Sequence, residues 1–403
     1  MRLAIVSSRI PYPLEKGDKL RLYHQIRGLA DSNELHLIAL YDKDEGLNEA
    51  DTELAKYCSS RHYFKFSKPR RLAGLPMAIL SGLPFTVKYF YSAFLANKIR
   101  QTIFEIDPDI IYCQLIRMAP YVRSLPFPKA LDYMDAFSLG FERRASFSPF
   151  WLKPLMNFEA SLLKNYENKV YKDFDSHTII STQDRDHLSV LSREKIEILK
   201  NGVDQEFFHP NPGREKKYDL VFCGNMGYDP NIKAALLIGQ MMPELRKRHP
   251  GITVLIAGAR PDKRVLALDG THGITVSGWM DDIRDAYWSS RINIAPIFSG
   301  SGLQNKILEA MACGIPCIAS SVVAGSIDGK PGNDLLTAGS LNEFKKRITD
   351  VLSSEKLANN LAQNGIELVR NKYNWGAFSK KLDGIISNTT GSDVQALKSD
   401  KRI

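Results

Sequence analysis

Two doubly wound, parallel α/β sheets, one in each half of the chain and facing one another, are the architecture this sequence predicts. Three observations carry that expectation. The chain has 403 residues, more than one compact core ordinarily holds, so two domains of roughly 200 residues each are expected. Both halves repeat a strand–turn–helix rhythm, which demands parallel strand pairing. Between them lies His209–Lys217 (HPNPGREKK), polar and proline-bearing as linkers are.

The first half opens with a strand at Leu3–Val6, a loop at Ser7–Lys19 and a helix across Leu20–Ala30, where Leu20, Tyr23, Ile26 and Ala30 recur at helical spacing. A strand at Glu34–Tyr41 completes a βαβ unit. Asp109–Gln114, Lys129–Tyr133 and Ser176–Ser181 read as further buried strands, and Leu155–Phe174 as one long helix carrying Glu159 and Glu167. In the second half the strands are Tyr218–Cys223, Thr253–Ala257, Ile274–Ser277, Ile292–Ile297 and Pro316–Ala319. Helices are expected at Asn231–Arg248, with Pro243 as a break, from near Asp281, and at Leu303–Ala312. The domain limits follow: 1–205, 206–370, a helix 371–388 returning to the first domain, and a polar tail 389–403 expected to be disordered. Tyr373, Trp375 and Phe378 are expected to anchor that returning helix as core residues.

Composition bounds the class. With 44% hydrophobic and 25% charged residues the chain is an ordinary globular one. No apolar run reaches the roughly 18 residues a membrane span needs. Met1–Val6 is a strand pattern rather than the apolar core of a signal peptide, so a cytoplasmic protein is expected. The five cysteines are scattered through apolar runs without metal-ligand spacing, and inert buried thiols are expected. The net charge of +9 fits nucleic acid, an anionic membrane face or a polyanionic substrate such as a diphosphate. Nucleic acid lacks any supporting motif and is set aside. Lys65, Lys68, Arg70 and Arg71, followed by the apolar stretch to Pro84, suit docking on a membrane surface and equally a solvated loop beside a buried helix.

The chemistry is expected where parallel strands end and loops lead into helices. Those places in the second half are Gly224-Asn225-Met226, Gly258-Ala259-Arg260, Gly278-Trp279-Met280 and Ser299-Gly300-Ser301-Gly302, all glycine-bearing, so backbone can approach a ligand. The last enters a helix whose free N–H groups suit a phosphate. In that helix Lys306 and Glu309 are three apart and share a face, a cation for a phosphate and a carboxylate for ribose hydroxyls. An ordinary tight turn with a surface Lys–Glu pair explains one Gly-x-Gly; it does not explain four glycine loops.

These segments resemble a known family. Ser299–Ser320 (SGSGLQNKILEAMACGIPCIAS) looks like the donor motif of glycosyltransferase family 4, the retaining GT-B enzymes, and Glu197–Pro210 is similar to that family's interdomain segment. Ser7–Ala30 matches an exopolysaccharide-associated branch of sugar transferases. The resemblance covers the whole chain except the tail. It implies a GT-B fold with an interdomain cleft and transfer of a sugar, with retention, from a nucleotide diphosphate sugar to a lipid-linked or oligosaccharide acceptor. It implies that Glu309 binds the donor ribose, that Gly300–Leu303 offers backbone amides to the diphosphate or sugar, and that Gly278–Met280 lies against the nucleobase. Trp279 is then either a stacking wall or plain core. Two positions depart from the pattern: Ser301 stands where a sugar-contacting glutamate is usual, and Asn225 where an arginine is usual. Lys306, with Lys233 or Arg260, is expected to replace the missing cation. No metal or other cofactor is expected, since basic residues and a helix N-terminus neutralise the diphosphate.

In the first half Gly17 follows the first strand and permits backbone contact with donor phosphate or acceptor, while Asp18, Lys19 and Arg21 are acceptor-binding candidates. His24 is the candidate general base, against a structural histidine on a helix face. Asp132 and Asp135 end a strand, where a carboxylate can orient an acceptor hydroxyl or cap a helix; Asp135 is taken as catalytic. The competing functions are an epimerase or phosphorylase-like enzyme in the same cleft, and a non-catalytic nucleotide-sugar-binding or scaffold protein of a polysaccharide assembly system.

Overall fold

The computed structural model describes residues 1–73, 82–190, 192–298 and 305–391, apart from the side chains of Ala73 and Phe147. Among them, β1 (Arg2–Ser7), β2 (Glu34–Tyr41), β3 (Ser60–Lys65), β4 (Ile110–Gln114), β5 (Lys129–Met134), β6 (Ser176–Ile179) and β7 (Glu197–Ile198) form one sheet in the order β3-β2-β1-β4-β5-β6-β7. Every pairing in it is parallel. The second sheet contains β8 (Tyr218–Cys223), β9 (Val254–Ala257), β10 (Ile274–Gly278), β11 (Ser290–Ala295), β12 (Cys317–Ser320) and β13 (Leu336–Ala338), in the order β10-β9-β8-β11-β12-β13 and again parallel.

Near-continuous apolar sequence makes these strands because helices cover both faces of a parallel sheet. In β1, Ala4 and Val6 enter one core cluster while Leu3 and Ile5 enter the other. The strand order reverses between β1 and β4 in the first sheet and between β8 and β11 in the second, and a crevice at the carboxyl ends opens at each reversal.

The chain divides into one unit of Met1–Lys200 with Trp375–Ile403 and another of Asn201–Asn374. These limits differ from 205 and 370 for a physical reason. His209–Lys217 packs on the second unit rather than bridging: Trp288 Nε1 donates to the His209 carbonyl at 2.7 Å, and Lys216 Nζ donates to the carbonyls of Trp288 and Ser290. The helix Trp375–Gly391 lies on the first unit, where Leu382 and Ile386 join Leu22 and Ile26 in one cluster. Gly28 permits this approach, since a Cβ there would sit 2.1 Å from the Ser379 hydroxyl.

Other boundaries move as well. Pro243 lies inside a continuous helix, Asp229–Arg248, instead of breaking it. Thr389–Gly391 extend the last helix, so the start of the expected tail is ordered, and 392–403 lie outside the described residues. Strand β3 (SRHYFK) escapes sequence reading because it is an edge strand without an apolar run. Its end and the short helix Lys68–Ala73 hold the described part of the basic segment. The two glutamates of the helix Lys153–Tyr171 serve other helices. Glu159 accepts from the amides of Phe85 and Thr86, and Glu167 from the amide and hydroxyl of Ser138.

Candidate functional site

At the carboxyl edge of the second sheet, glycines bring three strand ends into direct backbone contact. Gly258 has φ +136, and a Cβ on it would lie 1.8 Å from the Gly224 carbonyl oxygen. The Gly258 amide donates to the Gly278 carbonyl at 2.9 Å. Beside this edge stands Lys306, in the first turn of the helix Asn305–Ala312. Its ammonium donates to Asn231 Oδ1 at 2.6 Å and lies 4.8 Å from the centre of the Phe222 ring. A Cβ on Gly224 would be 2.9 Å from that ammonium, so only glycine leaves it room. Burial pushes the Lys306 ammonium down to about 8, against the pull of Cys223 and Glu309.

One turn on, Glu309 Oε2 accepts from the Tyr287 hydroxyl at 3.0 Å. Burial raises its carboxyl above the usual range, with Tyr287 and Lys306 opposing. The expected group thus assembles around Gly224, Gly258, Lys306 and Glu309. Asn231 and Tyr287 complete it, and both come from distant segments with no local sequence signal. Gly300, Ser301, Gly302 and Leu303 lie outside the described residues.

The remaining donor candidates separate by environment. The Asn225 side chain accepts from the Gly227 amide, folding its own turn. Lys233 is exposed and pairs with Asp229 one turn back at 2.8 Å. Arg260 is exposed, and among the described residues it makes no ion pair; a Cβ on Gly227 would meet it at 3.3 Å. Of the two partners considered for Lys306, Arg260 therefore keeps its charge available at the strand edge. Trp279 is 66% exposed, which excludes the core reading, whereas Met280 packs against the second core.

In the first unit, Gly17 begins the helix Gly17–Leu29, and a Cβ there would be 3.5 Å from Met134 Cε. Asp18 pairs with Arg9 and, at 2.8 Å, with Arg117, while its carbonyl accepts from Gln114. Burial pushes its carboxyl up, but the two guanidiniums outweigh it and hold it below the ordinary value. Lys19 is half-buried, its ammonium 3.5 Å from the Tyr12 carbonyl.

Two candidates need correction. Arg21 is 0% exposed, and its guanidinium grips Asp132 through Nε at 2.6 Å and Nη2 at 3.0 Å. It ties the first helix to β5, with Thr178 donating to the same carboxylate, and has no surface to offer an acceptor. His24 is buried, its ring stacked on Trp375 at 4.7 Å, which makes it packing for the last helix rather than a base. Asp135 is half-buried past the end of β5, where Met134 adopts φ +61. The helix that follows has no side-chain cap, so Asp135 does not cap it. Burial, then the neighbouring Asp184, raises its carboxyl to about 7. All five cysteines are buried thiols. Among the described residues no group of His, Cys, Asp and Glu could hold a metal, and no helix is long and apolar enough to cross a membrane.

The family profile described as "Glycosyl transferases group 1" matches residues 217–354, the span that holds this glycine edge, Lys306 and Glu309. An uncharacterized 44.6 kDa protein in the cps region of Klebsiella pneumoniae is 22% identical over 94% of this chain and 97% of its own. The lipopolysaccharide 1,6-galactosyltransferase of Salmonella typhimurium is 23% identical over 63% of this chain and 68% of its own. Among solved structures, Anabaena Alr3699/HepE in complex with UDP superposes with a TM-score of 0.70 at 13% identity, covering 96% of this chain and 100% of the other.

Proposed function

We propose that this chain, whose residues 217–354 match the group 1 glycosyltransferases and whose fold is GT-B, moves a sugar from a nucleotide diphosphate sugar to a lipid-linked or oligosaccharide acceptor in exopolysaccharide biosynthesis, with retention. The observation that carries this reading is the Lys306–Glu309 pair under Gly224 and Gly258, at the reversal of the second sheet. A diphosphate laid on Gly224 brings its charge to a partly desolvated ammonium, where attraction is strongest. Glu309, oriented by Tyr287, receives the ribose hydroxyls, and Gly278–Trp279 lies against the base. Gly300–Leu303 completes the diphosphate contact, and Arg260 adds the second cation. No metal takes part in this reading, and transfer is expected to persist in a chelator.

A cps-region relative, a lipopolysaccharide galactosyltransferase relative and a UDP-bound fold neighbour support the substrate class. We place the acceptor on the first unit with Gly17, Asp18 and Lys19, where the Asp18 charge acts on Asp135; the Asp135 carboxyl, poised near neutrality, takes the acceptor hydroxyl proton. The protein acts at the inner face of the cytoplasmic membrane, held by Lys65–Pro84, in which the exposed Lys68 and Arg70 precede the exposed Leu72. Incubation with UDP-, GDP-, ADP- and dTDP-sugars and a panel of glycan acceptors tests the reading. A new glycoside with the donor's anomeric configuration is expected. Donor consumption that leaves only an isomerised sugar or none at all, whatever the acceptor, refutes it.

A further inference from the structure

The reversal of the first sheet, between β1 and β4, carries a cluster that the sugar-transfer reading leaves unused. Arg9 follows β1, Arg117 follows β4, and Arg71 comes from the helix Lys68–Ala73. All three guanidiniums stand over one ring, Phe90, at 5.8, 4.3 and 4.8 Å from its centre. Arg71 and Arg117 are both under a tenth exposed. Arg71 also lies over the Phe66 and Tyr89 rings and Arg117 over Phe137, but among the described residues the hydrogen bonds and ion pairs of all three are few. Arg117 Nε donates to the Ser8 hydroxyl and Nη2 to Asp18; Arg71 Nε donates to the Phe66 carbonyl; Arg9 pairs with Asp18.

The charge does not balance. Asp18, which pairs with Arg9 and Arg117, is the one carboxylate in contact with any of the three guanidiniums among the described residues. Lys16 and Lys19 stand nearby, and Asp42 and Glu15 act at longer range. The undescribed segment 74–81 (GLPMAILS) contains no acidic residue that would offset Arg71. A network serving only to tie loops together is normally neutral, since an uncompensated buried charge is strongly unfavourable. Burial and then Arg9 push the Arg117 guanidinium down to about 9, with Asp18 opposing and Arg71 adding to the strain. Each guanidinium retains N–H donors in the fork geometry that matches a phosphate's oxygens.

We propose that Arg9, Arg71 and Arg117 form a binding site for a phosphate-type anion at the switch point of the first sheet, and that the acceptor is held there by its phosphate. The assignment to the acceptor rests on the reading that places the acceptor on this unit. The anion site itself does not depend on it. Phe90 forms the apolar floor and Asp18 fixes two of the three guanidiniums, so the site is preformed.

Calorimetric titration of the full chain with inorganic pyrophosphate and with a short alkyl phosphate tests this, in the wild type, Arg71→Gln, Arg9→Gln and Lys306→Ala. Arg9→Gln alters a partly exposed side chain and guards against a folding defect in Arg71→Gln. Pyrophosphate meets two sites on these readings, so loss of one binding event by at least tenfold in both arginine variants at the wild-type melting temperature, with that event kept in Lys306→Ala while the donor-site event is lost, supports the site. Affinity unchanged in both arginine variants, or lost only in Lys306→Ala, overturns it. Tighter binding of the alkyl phosphate than of pyrophosphate assigns a lipid-linked source; equal or weaker binding assigns a free or sugar-borne phosphate. If both arginine variants lose the anion yet transfer sugar with an unchanged acceptor KM, the acceptor assignment fails while the anion site stands.

Discussion

Buried charges in this protein divide into those satisfied by the fold and those left for a ligand. Arg21 and Asp132 are the first kind, fully buried and joined by two hydrogen bonds. Arg21→Ala leaves Asp132 unpaired in the core and is expected to destabilise the first unit by about 3–5 kcal/mol, measured by denaturant unfolding. Asp135 is the second kind. Its folded value of about 7 is raised above the unfolded 3.8, so the stability tied to its protonation is complete below 3.8 and lost as pH rises through about 7. Asp135→Asn should therefore match the wild type near pH 4, unfold at higher temperature than it at pH 8, and transfer sugar at least tenfold more slowly. An unchanged turnover would remove Asp135 from the chemistry. Lys306 has the opposite displacement, to about 8. Donor affinity that needs the charged ammonium should fall as pH rises above 8 in the wild type. In Lys306→Gln it should already be low and nearly flat with pH, which calorimetry at several pH values will show.

The second sheet's carboxyl edge works because glycines let whole strand ends touch. Gly258→Ala drives a methyl into the Gly224 carbonyl from a backbone conformation that only glycine adopts readily. A loss of roughly 3–5 kcal/mol and of donor binding together is expected, read by thermal unfolding and titration. These elements were legible early, because a parallel strand ending in glycine has a local signature: β8, which runs into Gly224, has the predicted limits to the residue. Edge strand β3 has no apolar run, and Pro243 sits in a helix whose neighbours hold it regardless. The candidate site was half legible for the same reason. Lys306, Glu309 and the glycines announce themselves by spacing. Asn231 and Tyr287, which orient them, are fixed by tertiary contact, as are the burial of Arg21 and His24 that removes those two from the list. Hydrophobicity left Trp279 open between a stacking wall and core, and its exposure removes the second.

At the scale of the molecule, the chain leaves its first unit at Lys200 and returns at Trp375. The second unit closes on itself there: the Val203 amide donates to the Tyr373 carbonyl, and the Tyr373 hydroxyl accepts from the Asp328 amide. A fragment of residues 201–374 should accordingly fold cooperatively and keep nucleotide binding, while a fragment ending at Lys200 exposes the Leu22–Ile26 face that Leu382 and Ile386 cover, and should aggregate. The central claim is that the Lys306–Glu309 pair of the second unit holds a nucleotide diphosphate sugar. Calorimetric titration of the whole chain, Lys306→Ala and Glu309→Gln with UDP-, GDP-, ADP- and dTDP-sugars tests it most directly. One nucleotide family should bind the wild type, and each variant should bind it at least tenfold more weakly. Equal affinity in all three proteins, or no binding of any nucleotide sugar to the wild type, would contradict it.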